Sequence, residues 1–252
     1  MRQEFWMQVK TQGLIIKEQT IGESDRLVTV LTKDAGVLRA FARKAKSLKD
    51  SKSAATQLLC YSRLSVFKGR EKYIIDDAEP IEVFFGLRRD IAALSLAQYF
   101  CELANEFCEE DFEAEEVLRL ILNGIWLLKS GKKKPDFIKA VTELRLMSLS
   151  GYMPDLVGCE QCGAYETDKM YFVPESGKIY CEECAPSGFN YRVSASVVQA
   201  MRYVTLSDFE KIFSFVLNDE SQKVFGKVSE AYLLQKTQRK FNTLDFYRVL
   251  TL

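Results

Sequence analysis

Not one of the 252 residues is histidine. That absence removes the usual general base, the Ser-His and Cys-His nucleophile pairs and every histidine-ligated catalytic metal. A G-x-x-x-x-G-K-[ST] phosphate loop and a G-x-G-x-x-G dinucleotide fingerprint are missing as well. Carboxylate, lysine or tyrosine chemistry is what remains, and an enzyme is not expected. Long apolar runs are also lacking. The richest stretch, Val117 to Leu128, is broken by Arg119 and Asn123 and falls short of the roughly 20 residues that span a bilayer. The opening MRQEFWMQVK has no signal-peptide core, so the expected location is the cytoplasm.

Charge of one sign is absent overall, with 35 Lys plus Arg against 35 Asp plus Glu, but not locally. Residues 1–80 carry 15 cations and 10 carboxylates, whereas residues 81–130 carry 4 and 10. A basic segment is thus followed by an acidic one. Within the acidic part, EEDFEAEE (Glu109 to Glu116) reads as a solvated loop opening a helix, where carboxylates suit the helix dipole.

Five β-rich runs fill the first 80 residues: Gly13 to Thr20, Arg26 to Thr32, Val37 to Arg43, Leu58 to Lys68 and Tyr73 to Ala78. KDAG makes the turn between the second and third, and its Gly36 tolerates positive φ. Five strands without long helices predict a small Greek-key barrel of the OB type, with an SH3-like barrel as the alternative. After Pro80 the period becomes helical, over Asp90 to Phe107, Val117 to Leu128, Phe137 to Leu149, Val197 to Val216 and Val224 to Lys240. The expected class is α+β: a five-stranded OB-fold barrel over 1–80 and an all-helical domain over 81–252.

Seven cysteines are present, and four of them form two Cys-x-x-Cys pairs, Cys159 with Cys162 and Cys181 with Cys184. That spacing brings four thiolates around one ion, so a zinc-ribbon-like insertion is expected at about 153–190. Four thiolates close the coordination sphere, which makes the Zn2+ structural. MYFVP and KIY, separated by ESG, read as the two strands of its hairpin. Cys60, Cys101 and Cys108 lie in apolar runs and read as buried hydrophobes.

The stretch LRAFARKAKSLKDSK holds Arg39, Arg43, Lys44, Lys46, Lys49 and Lys52 against the single carboxylate Asp50. Alternation along the third strand puts Leu38, Ala40 and Ala42 on one face and Arg39, Phe41 and Arg43 on the other. The strand around Leu58 to Phe67 repeats the pattern with Tyr61, Arg63 and Phe67. Cations mixed with aromatics suit single-stranded nucleic acid, where cations follow phosphates and rings stack on bases. The plainer reading is a solvated outer face whose aromatics pack on the helical part.

Taken in order, these features resemble the RecO family of bacterial recombination mediators. The matching stretches are GESDRLVTVLTKDAGVLRAFARKAK, SRLSVFKGR, DAEPIEVFFGLRRDIAALSLAQYFCEL and ELRLMSLSGYMPDLVGCEQCG leading into the cysteine hairpin. All four cysteines are present, although some members of that family lack them. The resemblance implies an OB fold followed by a helical domain with an inserted zinc ribbon. It implies binding of single- and double-stranded DNA, annealing of complementary strands, and work with RecR that loads RecA onto strands coated by SSB. It also implies association with the nucleoid when acting on DNA, and no catalytic residue. Lys33, Arg39, Arg43, Lys44 and Lys46 match the family's DNA-contacting barrel region, and Lys49 belongs to the same basic loop. The acidic, apolar-ended C-terminal tail of SSB is expected to dock on helices between Phe85 and Leu149. The competing readings are a protein–protein adaptor whose ribbon and helices are the working surfaces and, third, a metal-assisted nuclease, which a closed thiolate site would argue against.

Overall fold

The computed structural model describes residues 7–45, 52–69, 72–185, 188 and 191–251. Two compact units emerge: residues 1–130 with 241–252, and residues 131–240.

The first unit is built on β1 (Met7–Ile21), β2 (Asp25–Thr32), β3 (Val37–Ala42), β4 (Cys60–Lys68) and β5 (Tyr73–Val83). They close as a barrel in the order β1-β2-β3-β5-β4, with β3 and β5 parallel and the other pairs antiparallel. This is the five-stranded OB arrangement the spacing predicts. A short helix, α1 (Lys52–Ala55), precedes β4. Strand alternation delivers Val28, Val30, Leu38, Ala40, Ala42, Leu64 and Val66 to the interior. Small residues on β3 keep that interior narrow. Ile15 and Ile16 are consecutive yet both buried, because the β1–β2 register shifts between Ile15 and Lys17.

The helices of this unit are α2 (Ile91–Phe107), α3 (Glu115–Ser130) and α7 (Asn242–Leu250), the last named in its chain-order place. Asp90 caps α2 by accepting from the Ala93 N–H at 3.0 Å. Tyr99 of α2 meets Phe241 edge-on at 5.8 Å, and the carboxylate of Glu102 accepts from the Thr243 hydroxyl, so α7 is fixed to α2. The compact unit therefore extends past residue 80. The acidic segment supplies the physical reason. Its backbone is stitched to the β2–β3 turn by Val37 N–H to Glu109 (3.3 Å), Asp111 N–H to Ala35 (3.1 Å) and Ala114 N–H to Lys33 (3.0 Å). Gly36, at φ +62°, admits that approach; a Cβ there would stand 1.8 Å from the Glu109 carbonyl oxygen. The stretch read as a solvated loop is thus pinned to the barrel by its backbone.

The second unit contains α4 (Pro135–Leu149), α5 (Ala195–Leu206) and α6 (Asp219–Thr237), with a four-stranded sheet. Its strands are β6 (Asp155–Cys159), β7 (Met170–Val173), β8 (Lys178–Cys181) and β9 (Arg192–Val193), in the order β6-β8-β7-β9. Pro135 occupies the first turn of α4, where its missing N–H costs nothing. The helix expected through Val216 ends at Leu206, because Ser207 is extended, at ψ 158°. Phe215 beyond it packs edge-on to Phe137 at 5.0 Å and to Tyr203 at 5.5 Å. Its apolar spacing serves turns, not a helical face.

Between α4 and α6, Lys139 is buried against two carboxylates, Glu143 at 2.8 Å and Glu230 at 2.6 Å. Burial alone would lower its pKa, but the two carboxylates raise it, so the cation persists. Lys139→Met is expected to cost about 3–5 kcal/mol by leaving two carboxylates without their cation. Thermal unfolding checks this; a midpoint equal to wild type would show that the triad is not holding α4 to α6.

Candidate nucleic-acid interface and metal centre

Register across the barrel sets out the first site. Lys17 of β1 pairs with Thr29 of β2, which pairs with Arg39 of β3. The next outward row is Gln19, Leu27 and Phe41. Neighbours across a sheet share a face, so Lys17, Arg39 and Phe41 stand on one outer wall. A groove of about 450 Å³ follows from there, lined by Arg39, Phe41, Lys68, Lys72, Tyr73 and Glu110 among others. Arg39 also lines an adjoining depression of about 270 Å³ with Lys17 and Asn105. Cations and rings alternate along this wall, as the reading of β3 anticipates.

Lys68 lies 5.3 Å from the Tyr73 ring centroid and 2.7 Å from the Asp111 carboxylate. Its ammonium is held above the ordinary range, chiefly by its hydrogen bond to Asp111 and then by Tyr73. Burial raises the Tyr73 phenol, with Lys68 pulling it down and Glu110 pushing it up. Lys17, Lys68, Lys72 and Tyr73 were not among the sequence candidates. The signal for Lys68, Lys72 and Tyr73 was the sequence VFKGREKY, in which Phe67 and Tyr73 flank three cations.

Arg39, Arg43 and Lys44 are exposed, and β3 with its exit carries all three. Lys44 sits at φ +55°, and its N–H bonds the Asp25 carboxylate at 2.9 Å. That bond leads the effects holding Asp25 below the usual carboxylate range. Lys46 and Lys49 lie outside the described residues. Lys33 lines a different groove, of about 470 Å³, with Lys10, Arg63, Asp34, Asp77 and Glu79, where charge is balanced. It pairs with Glu115 at 3.2 Å, and Arg63 pairs with Glu79 at 3.1 Å. The Arg63 stretch of β4 thus lines a groove separate from the one that Arg39 shares with Lys68 at the end of that strand. Tyr61 donates to the Gln12 side chain at 2.6 Å.

The four paired cysteines converge within the second unit. Cys159 ends β6, Cys181 ends β8, and Cys162 and Cys184 sit on the turns that follow. The four sulfur atoms lie within 4.8 Å of one another, with Cys162 and Cys181 3.7 Å apart. A disulfide needs about 2.05 Å. Thiolates about 2.3 Å from a tetrahedral ion stand about 3.8 Å apart, so the geometry fits a metal site. Each knuckle is shaped by its backbone: Gly163 N–H bonds the Cys159 carbonyl at 2.8 Å, and Ala185 N–H bonds that of Cys181 at 2.9 Å. Gly163, at φ +74°, makes the first turn. Burial pushes the Cys159 thiol up, but N–H donors from Cys162, Cys181 and Gln161 bring it down to about 6. Cys184 is pushed up to about 12, first by Cys181. Four crowded sulfurs ionise together only around a cation.

Burial raises the thiol of Cys101 to about 12 and of Cys108 to about 11, so both remain neutral packing groups. Arg202 of α5 secures the ribbon. It donates to the carbonyls of Leu156 (2.7 Å), Val157 (3.2 Å) and Tyr165 (2.7 Å), and its guanidinium lies 4.0 Å from the Tyr165 ring centroid. Arg145 is similarly committed, to the carbonyls of Val204 and Thr205 at the end of α5. No helix among the described residues is long and apolar enough to cross a membrane.

Comparison with known proteins covers nearly the whole chain. The model described as Recombination protein O N terminal matches residues 7–84, and the one described as Recombination protein O C terminal matches residues 88–245. A DNA repair protein RecO of Acetivibrio thermocellus is 32% identical over 243 residues, 96% of this chain and 97% of the relative. One of Alkaliphilus metalliredigens is 30% identical over 95% of this chain and 98% of its own. One of Symbiobacterium thermophilum is 27% identical over 94% and 96%.

Proposed function

Because the chain belongs to the RecO family and so has a role in recombinational DNA repair, we propose that it is a DNA-binding mediator that anneals complementary strands. With RecR it helps load RecA onto single strands coated by SSB, whose acidic tail it engages. The observation that carries this reading is the outer barrel wall, where Lys17, Arg39, Lys68 and Lys72 accompany Phe41 and Tyr73. Cations there neutralise phosphates and the rings offer stacking surfaces. Arg43 and Lys44 extend the cationic path, Lys46 and Lys49 of the same basic run are proposed to bind phosphate with them, and Lys33, already paired, contributes less. Annealing requires no covalent step: lowering the repulsion between two phosphate chains and holding them together is sufficient.

The metal in this reading is Zn2+, held by Cys159, Cys162, Cys181 and Cys184. It supplies folding energy to the ribbon and no chemistry. The test of function is the annealing of SSB-coated complementary strands by the purified protein. Acceleration that declines with salt is expected, and an annealing rate equal to that of SSB-coated strands alone would reject the proposal. The adaptor reading is favoured by exposed apolar side chains on the ribbon unit, Val157 at 76% and Leu206 at 72%. It predicts partner capture by a protein that leaves bare DNA untouched.

A further inference from the structure

The acidic segment after α2 does more than join helices. Its backbone is clasped to the β2–β3 turn, which fixes where its carboxylates stand. Asp111 reaches Lys68 at 2.7 Å, Glu115 reaches Lys33 at 3.2 Å, and Glu110 lines the groove with Arg39, Lys72 and Tyr73. Two barrel cations are therefore engaged by carboxylates of the chain itself. Lys68 is one-third exposed and Asp111 nearly two-thirds, so this pair is solvated and weak enough to exchange.

We propose that Glu110 and Asp111 act as a built-in phosphate surrogate, competing with nucleic-acid phosphate for Lys68 and for the Tyr73 end of the groove. This rests on the proposed binding of a strand along the barrel wall and adds the element that limits its affinity. In the free protein Lys68 is neutralised by Asp111. When a strand enters, the ammonium exchanges one oxyanion for another, and Asp111 returns to water. Net attraction at that end is therefore smaller than the number of cations suggests. A mediator that must release its strand to another protein gains from such a contact, because bound DNA is never far in free energy from the intramolecular alternative.

The test is Glu110→Gln with Asp111→Asn in the full chain, read by the anisotropy of a labelled oligodeoxythymidine over a salt series. Asp111 lies at φ +66°, a conformation that asparagine also accepts, so the fold is preserved. Affinity is expected to rise roughly three- to tenfold at about 0.1 M salt, the scale of a weak exposed pair with its neighbouring charge. The slope of log affinity against log salt is expected to change by much less than the roughly 0.7 of one contact, because Lys68 meets a phosphate in the bound state of both proteins. Glu113→Gln with Glu116→Gln removes the same charge away from the groove and is expected to change affinity less than twofold. Equal gains in both double variants would reduce the effect to net charge and overturn the proposal. So would unchanged affinity in the groove pair while Arg39→Ala with Lys72→Ala weakens binding. If that cation variant also binds like wild type, the barrel wall is not the strand path, and the underlying reading falls with the proposal.

Discussion

Cys181→Ser is expected to reduce bound zinc from one atom per chain to a small fraction of that, and to unravel the hairpin of β7 and β8. Apparent binding energies of structural zinc sites are about 10–16 kcal/mol at neutral pH, far more than so small a sheet draws from its own core. All four sulfurs must be thiolates to bind, so metal affinity falls as pH falls and binding releases protons. Metal analysis gives the stoichiometry, and proteolysis near Lys169 and Lys178 reports on the hairpin, because those side chains pair with Glu182 and Glu160 across the knuckles. The barrel should remain folded and retain DNA binding. Freshly purified, reduced wild-type protein without zinc would defeat the assignment, as would a serine variant that holds one equivalent.

The second large effect concerns the salt dependence of strand binding. Replacing Arg39, Arg43 and Lys44 together with alanine is expected to flatten the slope of log affinity against log salt by about 2, at about 0.7 for each single-strand phosphate contact. Affinity should fall alike for every sequence, since phosphate contacts position a strand without reading its bases. Folding should be spared: the three side chains are exposed, and the bond from Lys44 to Asp25 is made by its backbone N–H. Lys33→Ala is the informative comparison. Its ammonium already pairs with Glu115 in a groove of balanced charge, so the slope should move by less than a third as much. An unaltered slope in a folded triple variant would make the basic run an ordinary solvated surface.

Local pattern made part of this architecture legible. The alternation of Leu38, Ala40 and Ala42 with Arg39 and Phe41 is a period-two signal carried by adjacent residues, and burial follows it. The metal site was legible for a similar reason, since two Cys-x-x-Cys knuckles encode their own turns. What escaped depends on partners distant in sequence. The parallel pairing of β3 with β5 is set by barrel closure and leaves no local trace. Phe209 and Ile212 fall eight and eleven residues after Met201, a helical spacing, yet they are buried from turns. The helix α7 was missed because its nine residues gain their stability from α2, well over a hundred residues earlier. Likewise, the carboxylates of Glu109 to Glu116 are exposed as their sequence suggests, but the backbone bonds of Glu109 and Asp111 to the β2–β3 turn leave no local trace.

The return of residues 241–252 to the first compact unit imposes an order on assembly. On a ribosome, residues 131–240 emerge and are free to fold as a unit before the last partner of α2 has been synthesised. During that interval the surface of α2 that receives Phe241, Leu244 and Tyr247, all buried in the finished protein, has no cover. The first unit thus begins first and is completed last. A chain stalled or cut shortly before residue 241 would present an apolar stripe on α2 beside an already closed barrel, an intermediate suited to capture by a chaperone.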